Sequence, residues 1–195
     1  MRYCYVVLAV WILAACSSTP GDAARRANQP AAAAELYRKG AEQGDASAAL
    51  KLGLLLSEKS VPNYGAAGEW FIKACNLENL AGCHNAGVAY EYAKHGLPQD
   101  YTQAARYYRI AAERGYMQSQ YNLGSLYSNS HADGDIEGLT WLLVSQRSAR
   151  GCSGQALCKW VLEDPPGHIR RLRQRMSVEA IKAAEDQSVA WKPHP

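Results

Sequence analysis

One spacing recurs three times in this 195-residue chain and restricts its possible folds more than any other feature. A pair of large side chains is followed, 17 residues later, by a glycine among small and apolar residues. The pairs begin at Leu36, Trp70 and Tyr107, and the glycines are Gly53, Gly87 and Gly124. Such self-similarity is typical of helical-hairpin arrays, in which one unit is too small to bury its own apolar face.

Each unit is predicted to contain two helices joined by a loop, because the segments between turn signals are rich in alanine, the strongest helix former. Unit two is placed at 46–80 with its loop near 60–63, unit three at 81–116 and unit four at 117–151. A lone second helix at 31–43 precedes them. A degenerate pair at 155–162 and 168–176 follows, and Ser177 begins a last helix at 178–191. The predicted fold is all-α: a short right-handed α/α superhelical solenoid of hairpins with a C-terminal capping helix.

The N-terminus has a different composition. Arg2 is followed by an apolar run from Tyr3 to Leu13, which suits the core of a signal peptide and is shorter than the roughly twenty residues of a membrane-spanning helix. The alternatives are a signal peptide without lipidation or a buried N-terminal helix. Residues 1–15 are therefore predicted to be a signal peptide, residues 16–30 a flexible tether beginning at Cys16, and residues 31–195 the solenoid.

The segment from Leu13 to Cys16 resembles the lipobox of bacterial lipoproteins. This resemblance implies cleavage before Cys16 and lipidation of its thiol and new amine. Ser17, rather than aspartate, follows the cysteine, which resembles the sorting signal for the outer membrane. The expected location is the inner leaflet of that membrane, facing the periplasm.

Four cysteines remain once Cys4 is removed and Cys16 is lipidated. An even number in an oxidising compartment implies disulfides. The local pairs are Cys75–Cys83 and Cys152–Cys158, although the sequence leaves the connectivity open. Zinc bound by Cys75, Cys83, His84 and His95 is the alternative, but no Cys-x-x-Cys pair supports it, and no cofactor or metal is expected. Loss of Arg2 lowers the formal net charge from +3 to about +2, too little to favour nucleic acid.

Two stretches resemble a known repeat: the segment from Tyr121 to Tyr127 and the alanine-rich segment from Asp100 to Gly115. Both are similar to the Sel-one-like repeat, a relative of the tetratricopeptide repeat, and the resemblance covers roughly residues 31–151. Unit two departs from the pattern at Glu78, where a turn glycine is usual, and unit five has Cys158 at the glycine position. The resemblance implies a protein-binding module, and Cys75–Cys83 is similar to the disulfide of cysteine-rich members. Short lipoproteins of this kind resemble periplasmic antidotes to secreted type VI toxins such as lipases; others scaffold export machineries.

By similarity to tetratricopeptide repeats, the residue two before each glycine points into the concave face. The partner-binding residues predicted on this basis, with neighbours on the same helices, are Lys51, His84, Asn85, Glu91, Tyr121, Asn122 and Ser125. Asparagine amides both donate and accept hydrogen bonds, which suits an extended peptide. Alternatively, Asn85 and Asn122 satisfy nearby backbone groups. The basic run from Arg170 to Arg175 is either a solvated helix face or a contact for an acidic partner or lipid phosphates.

An envelope enzyme is the competing class, since some cysteine-rich relatives are described as β-lactamase-like. The chain has no Ser-x-x-Lys, which such enzymes need, and the segment Gly151–Gln155 lacks the last glycine of Gly-x-Ser-x-Gly. His-Glu-x-x-His and the common phosphate loops are absent too. Asp133 to Asp135 is interpreted as a loop rather than a calcium site. The sequence therefore favours binding over catalysis.

Overall fold

The computed structural model describes residues 19–58, 67–129, 134–152, 154–164 and 166–194, and these contain helices and no strand. From α1 to α9 each helix packs on the next, whereas α10 and α11 return to α8. The helices are α1 (Pro20–Arg26), α2 (Pro30–Glu42), α3 (Ala46–Leu56), α4 (Ala67–Asn76), α5 (Leu80–Glu91), α6 (Tyr101–Glu113), α7 (Met117–Asn129), α8 (Asp135–Arg150), α9 (Ala156–Glu163), α10 (His168–Arg175) and α11 (Val178–Ala190). The predicted all-α array of hairpins is confirmed. The predicted loop at 60–63 lies outside the described residues.

In each hairpin a glycine on the first helix faces a large side chain on the second. A Cβ atom added to Gly87 would lie 2.5 Å from the Tyr108 ring, and one added to Gly53 would lie 2.6 Å from the Phe71 ring. Real carbon atoms do not approach this closely in a packed interior. Glycine is therefore the residue that lets the two helices come together at this level.

The structure differs from the flexible tether expected over residues 16–30, because α1 and α2 form a complete first hairpin. Thr19 and Asp22 form a capping box at the start of α1, and Pro20 occupies the first turn. A Cβ on Gly21 would lie 2.5 Å from the Tyr37 ring, and the Tyr37 hydroxyl donates to Asp22 at 2.7 Å. The glycine contact of the later units is thus already present here.

The C-terminal end of the array is closed by α9, α10 and α11. Ser177 caps α11 by accepting a hydrogen bond from the backbone N–H of Ala180, as predicted. Trp191 packs edge-on against Trp141 of α8, with ring centroids 5.9 Å apart. Three residues after Trp191, the backbone N–H of His194 donates to the carbonyl of Glu113 at 2.8 Å. The last helix therefore packs on unit four, and the segment after it reaches unit three.

Both predicted disulfides are present. Cys75–Cys83 joins the end of α4 to α5, and Cys152–Cys158 joins the residue after the α8 C-cap to α9. Each bridge therefore crosses from one hairpin to the next rather than closing a single hairpin. A disulfide that closes so short a loop raises the free energy of unfolding by about 2–3 kcal/mol in the chain-entropy account. No helix in the described residues is both long and apolar enough to span a bilayer.

The glycine contact predicts the effect of adding one methyl group. Gly87→Ala should lower the free energy of unfolding by about 1–2 kcal/mol, because overpacking against the buried Tyr108 ring exceeds the gain in helix propensity. Urea unfolding at pH 7 measures this. Gly151→Ala is the control, since its nearest neighbour would be 3.4 Å away. Equal stability of Gly87→Ala and the parent chain would contradict the role assigned to this contact.

Candidate functional site

Two of the predicted partner-binding residues are half-buried asparagines. The Asn85 amide donates to the carbonyl of Ala81, one turn earlier, at 2.7 Å, and Asn122 hydrogen-bonds with the Tyr108 side chain. The alternative use foreseen for Asn85, satisfying a nearby backbone group, is therefore realised. Each amide keeps further hydrogen-bonding capacity, and partner binding by these residues stays a prediction.

Charged residues of the predicted set also have partners within the chain. Lys51 forms an ion pair with Asp22 of the first hairpin at 2.7 Å, and this contact is the largest cause of the low pKa of Asp22. Glu91 accepts a hydrogen bond from the Tyr108 hydroxyl at 2.7 Å. Lys51 is consequently held against α1, while Glu91 lies at the end of α5.

His84 is enclosed between neighbouring hairpins. Its Nδ1 lies 3.1 Å from the Ser119 hydroxyl, and its ring centroid lies 5.7 Å from that of Tyr108 and 5.4 Å from that of Tyr116. Burial lowers the pKa of His84 to about 4, so that the ring is neutral at pH 7. These contacts are those of a packing residue between units three and four.

Tyr121 and Ser125 are covered by the last hairpin. Tyr121 is only 4% exposed; its ring lies 4.7 Å from that of Trp160, and its hydroxyl donates to Asp164 at 3.2 Å. Ser125 lies 3.0 Å from Nε2 of His168. The seven predicted residues therefore do not share one open surface, because α9 and α10 pack over the part that α7 supplies.

The contact between Ser125 and His168 also bears on the enzyme alternative. Arg171 approaches Nδ1 of His168 at 2.6 Å, and a guanidinium can only donate. Nδ1 must therefore accept, and the ring proton lies on Nε2, facing Ser125. A histidine in this state cannot take the proton of Ser125, which a serine nucleophile requires. Ser128, at 2.6 Å from Nδ1, is buried. The cluster is a polar contact that fixes α10 on α7.

The arginine run on α10 is largely paired within the chain. Arg173 binds Glu185 at 2.7 Å, and Arg175 binds Asp135 at 2.8 Å through its Nε. These exposed pairs are typical of a solvated helix face. They favour the interpretation of this run as a solvated helix face.

Among the described residues, no group of three or more His, Cys, Asp or Glu side chains is placed so that it could hold a metal ion.

A cleft of about 870 Å³ lies along α6, and we call it the α6 cleft. Its lining comes from the end of α5, the loop after it, α6 and the end of α7, and includes Tyr92, Tyr101, Arg106, Arg109, Glu113 and Leu126. Of the predicted set, Glu91 lines it. Tyr92 and Tyr101 are 55% and 56% exposed. Sequence reasoning missed this cleft. A signal was present, since Gly87 and Gly124 are 37 residues apart whereas Gly53 and Gly87 are 34 apart, and Tyr92 and Tyr101 flank the longer loop.

Charges in the α6 cleft are arranged unevenly. Arg109 is engaged by the Glu137 carboxylate and by the Tyr127 hydroxyl. Arg106, in contrast, lies over the Tyr107 ring, 5.8 Å from its centroid. Within the described ranges, neither Arg106 nor Glu113 forms an ion pair. Glu91, which also lines the cleft, likewise forms no ion pair there, and Arg109 interacts with Glu113 as well as with Glu137.

The environment of His84 predicts a pH dependence of stability. Unfolded His84 takes up a proton near pH 6.5 and folded His84 near pH 4, so the unfolded state binds more protons between these values. The contribution of His84 to the free energy of unfolding is fully present above pH 6.5, and it falls by up to about 3 kcal/mol as the pH drops to 4. Urea unfolding at pH 7 and pH 4.5 should show a smaller loss for His84→Gln than for the parent chain. The exposed His194→Gln serves as control, and parallel losses in both variants would refute the assignment.

The chain is similar to known proteins both in sequence and in fold. A family model described as Sel1 repeat matches residues 13–45, 46–79, 80–116 and 118–137, together more than half of the chain. The match begins before α1, in agreement with the complete first hairpin. A comparison with curated protein sequences gave no significant match.

Two crystal structures are similar in fold. One is c5321, a protective antigen that is present in uropathogenic Escherichia coli strains and displays an SLR fold. Its TM-score is 0.65, its sequence identity is 27%, and the match covers 82% of this chain. This chain spans about a third of that structure, 32%. The other is a Sel1 repeat protein from Oxalobacter formigenes, with a TM-score of 0.55 and 22% identity, covering 88% of this chain and 77% of that one. At such identity the second likeness concerns the fold alone.

Proposed function

The chain belongs to the Sel1 repeat family, and from this premise we propose that it is a non-catalytic module that holds a segment of another protein in the α6 cleft. Sel1 repeat proteins generally act as protein-interaction modules. The observation that carries the proposal is the cleft itself, an opening of about 870 Å³ built by three consecutive helices of units three and four. Solenoids commonly bind partners on such surfaces shared by neighbouring repeats.

The side chains of the α6 cleft suit a protein partner. Tyr92 and Tyr101 are large, more than half exposed and have few rotatable bonds, so that binding orders them at small entropic cost. Arginine and tyrosine are both enriched where protein interfaces concentrate their binding energy. Arg106 and Arg109 belong to the same lining. The combination favours a peptide segment over a small polar metabolite.

A second contact region is proposed on α5 and α7, the first helices of units three and four. Asn85 and Asn122 are partly exposed and retain hydrogen-bonding capacity, whereas Tyr121 is buried under the last hairpin. This region would extend the interface, and the α6 cleft would form its centre.

Plugging the α6 cleft tests the main proposal. Thr102→Trp places a bulky ring in the lining and should reduce capture of the partner from detergent-solubilised envelope at least 10-fold. Immobilised mature chain and quantitative mass spectrometry measure this. Lys39→Trp, on the exposed surface of α2, is the matched control. Asn85→Ala combined with Asn122→Ala tests the second region. If a folded Thr102→Trp variant captured the partner as well as the parent chain does, the proposal for the cleft would be wrong.

We propose further that the chain is a lipoprotein of the outer membrane, anchored at Cys16 and facing the periplasm. The lipobox-like segment before Cys16 supports this, together with two disulfides that need an oxidising compartment. Metabolic labelling with palmitate in a Gram-negative host should be abolished by Cys16→Ser. Cys4→Ser, within the apolar run, should keep the label as the control. Labelling that survives Cys16→Ser would show that the anchor is wrongly assigned.

The partner proposed for this module is a secreted type VI toxin such as a phospholipase, which the chain would neutralise as an immunity protein. A short array of hairpins that carries the α6 cleft supports a one-to-one complex. Growth of cells that co-express toxin and chain distinguishes this role from the alternative, a scaffold for an envelope assembly or export machinery. Hydrolysis of β-lactams or peptidoglycan fragments by the purified chain would instead favour the enzyme class.

A further inference from the structure

We propose that the segment after α11, residues 191–194, is a releasable strap that closes the joint between units three and four and thereby holds the α6 cleft in shape. We call this segment the strap. Its effect on the cleft rests on the proposed function, whereas its effect on the joint depends only on contacts within the chain. The two ends of the strap contact different units.

The first end of the strap is held on α8 of unit four. The Arg147 guanidinium donates to the backbone carbonyls of Val189 and Trp191, at 3.2 and 3.1 Å. The Trp191 ring packs against the core cluster to which α6, α7 and α8 all contribute, and within it against Trp141. A guanidinium that donates to two carbonyls fixes the direction in which the chain leaves α11.

The second end of the strap reaches the end of unit three. The backbone N–H of His194 donates at 2.8 Å to the carbonyl of Glu113, the last residue of α6. Carbonyls in the last turn of a helix have no partner within that helix, so the strap caps α6 at this point. Pro193 lies beside the turn between α6 and α7, with its Cβ 3.6 Å from the position that a Cβ on Gly115 would take.

The strap therefore spans a joint that no disulfide of the described residues crosses. Cys75–Cys83 joins units two and three, and Cys152–Cys158 joins unit four to α9. Between units three and four, the strap links α6 to α8 by noncovalent contacts instead. Because Arg147 and His194 are exposed, these contacts open more readily than those of a buried core. A disulfide fixes a joint permanently, whereas this link can be released.

The strap and the α6 cleft share structural elements. Glu113 binds the strap through its backbone carbonyl and also lines the cleft. Leu126 lines the cleft as well and belongs to the core cluster on which Trp191 packs. A docked strap thus holds two parts of the lining in place before a partner arrives, so that binding has fewer groups to order. By linkage, a partner in the cleft stabilises the docked strap to the same extent.

Hydrogen–deuterium exchange of the full mature chain tests the strap with two variants at one position. His194→Pro removes the backbone N–H that donates to Glu113, whereas His194→Ala keeps this N–H and changes only an exposed side chain. We expect the amides of residues 110–120 to exchange at least about 5-fold faster in His194→Pro, and at the parent rate in His194→Ala. Amides of α3 and α4 should keep the parent rate in both variants.

A second pair of variants tests the other end of the strap. Arg147→Gln should accelerate exchange over the same residues, and Arg150→Gln, exposed on the same helix, should not. If both ends act as one strap, releasing either end releases the whole. The double variant of Arg147→Gln with His194→Pro should then exchange no more than about 2-fold faster than His194→Pro alone, because the two effects are not additive.

The link to the α6 cleft is measured without a partner, by fluorine NMR. The probe is 3-fluorotyrosine in place of Tyr127, which lines the cleft, and the reference is 3-fluorotyrosine in place of Tyr37 in the first hairpin. His194→Pro should shift or broaden the resonance at Tyr127 and leave that at Tyr37 unchanged. His194→Ala should change neither.

Equal exchange in His194→Pro and His194→Ala would show that the strap does not hold the joint. Faster exchange with an unmoved resonance at Tyr127 would show that the strap does not shape the cleft. Since neither measurement uses a partner, these failures are distinct from that of the proposed function, which is judged by capture with the Thr102→Trp variant.

Discussion

Close approach of the two helices within each hairpin is the constraint on which the other contacts depend. At Gly21, Gly53, Gly87 and Gly124 no side chain fits, because a large side chain of the second helix occupies that place. The contact sets how far apart the two helices lie, and this distance repeats along the chain. Successive hairpins can then stack with a continuous core of alanine, tyrosine and leucine. Surfaces that form between units, including the α6 cleft, inherit their shape from this contact.

The fold could be predicted from the sequence because the glycines recur at a regular interval. The prediction nevertheless linked each glycine to the aromatic pair before it, whereas the structure pairs Gly53 with Phe71 and Gly87 with Tyr108, within one hairpin. Loop lengths vary inside the hairpins, so the spacing of the true partners is irregular. The first hairpin was missed because no pair of large side chains begins 17 residues before Gly21 and because α1 is only seven residues long.

The candidate site was harder to predict because it depends on contacts distant in sequence. Tyr121 has the register of a surface residue, yet Trp160 and His168 cover it. Lys51 likewise meets Asp22 of a hairpin that the repeat pattern did not reveal. Local periodicity shows which face of a helix is apolar but not which distant element packs there. Conversely, Arg106 and Tyr101 looked like ordinary second-helix residues until the packing of α5, α6 and α7 opened a cleft around them.

The placement of the two disulfides has a mechanical consequence. One covalently locks the joint between units two and three, and the other locks the joint between unit four and α9. The joint between units three and four is held in the described structure by noncovalent contacts, such as that of His84 with Ser119. Elastic bending of the array should concentrate there, and α6 and α7 meet at this joint. The width of the α6 cleft therefore depends on a joint that no disulfide of the described structure cross-links.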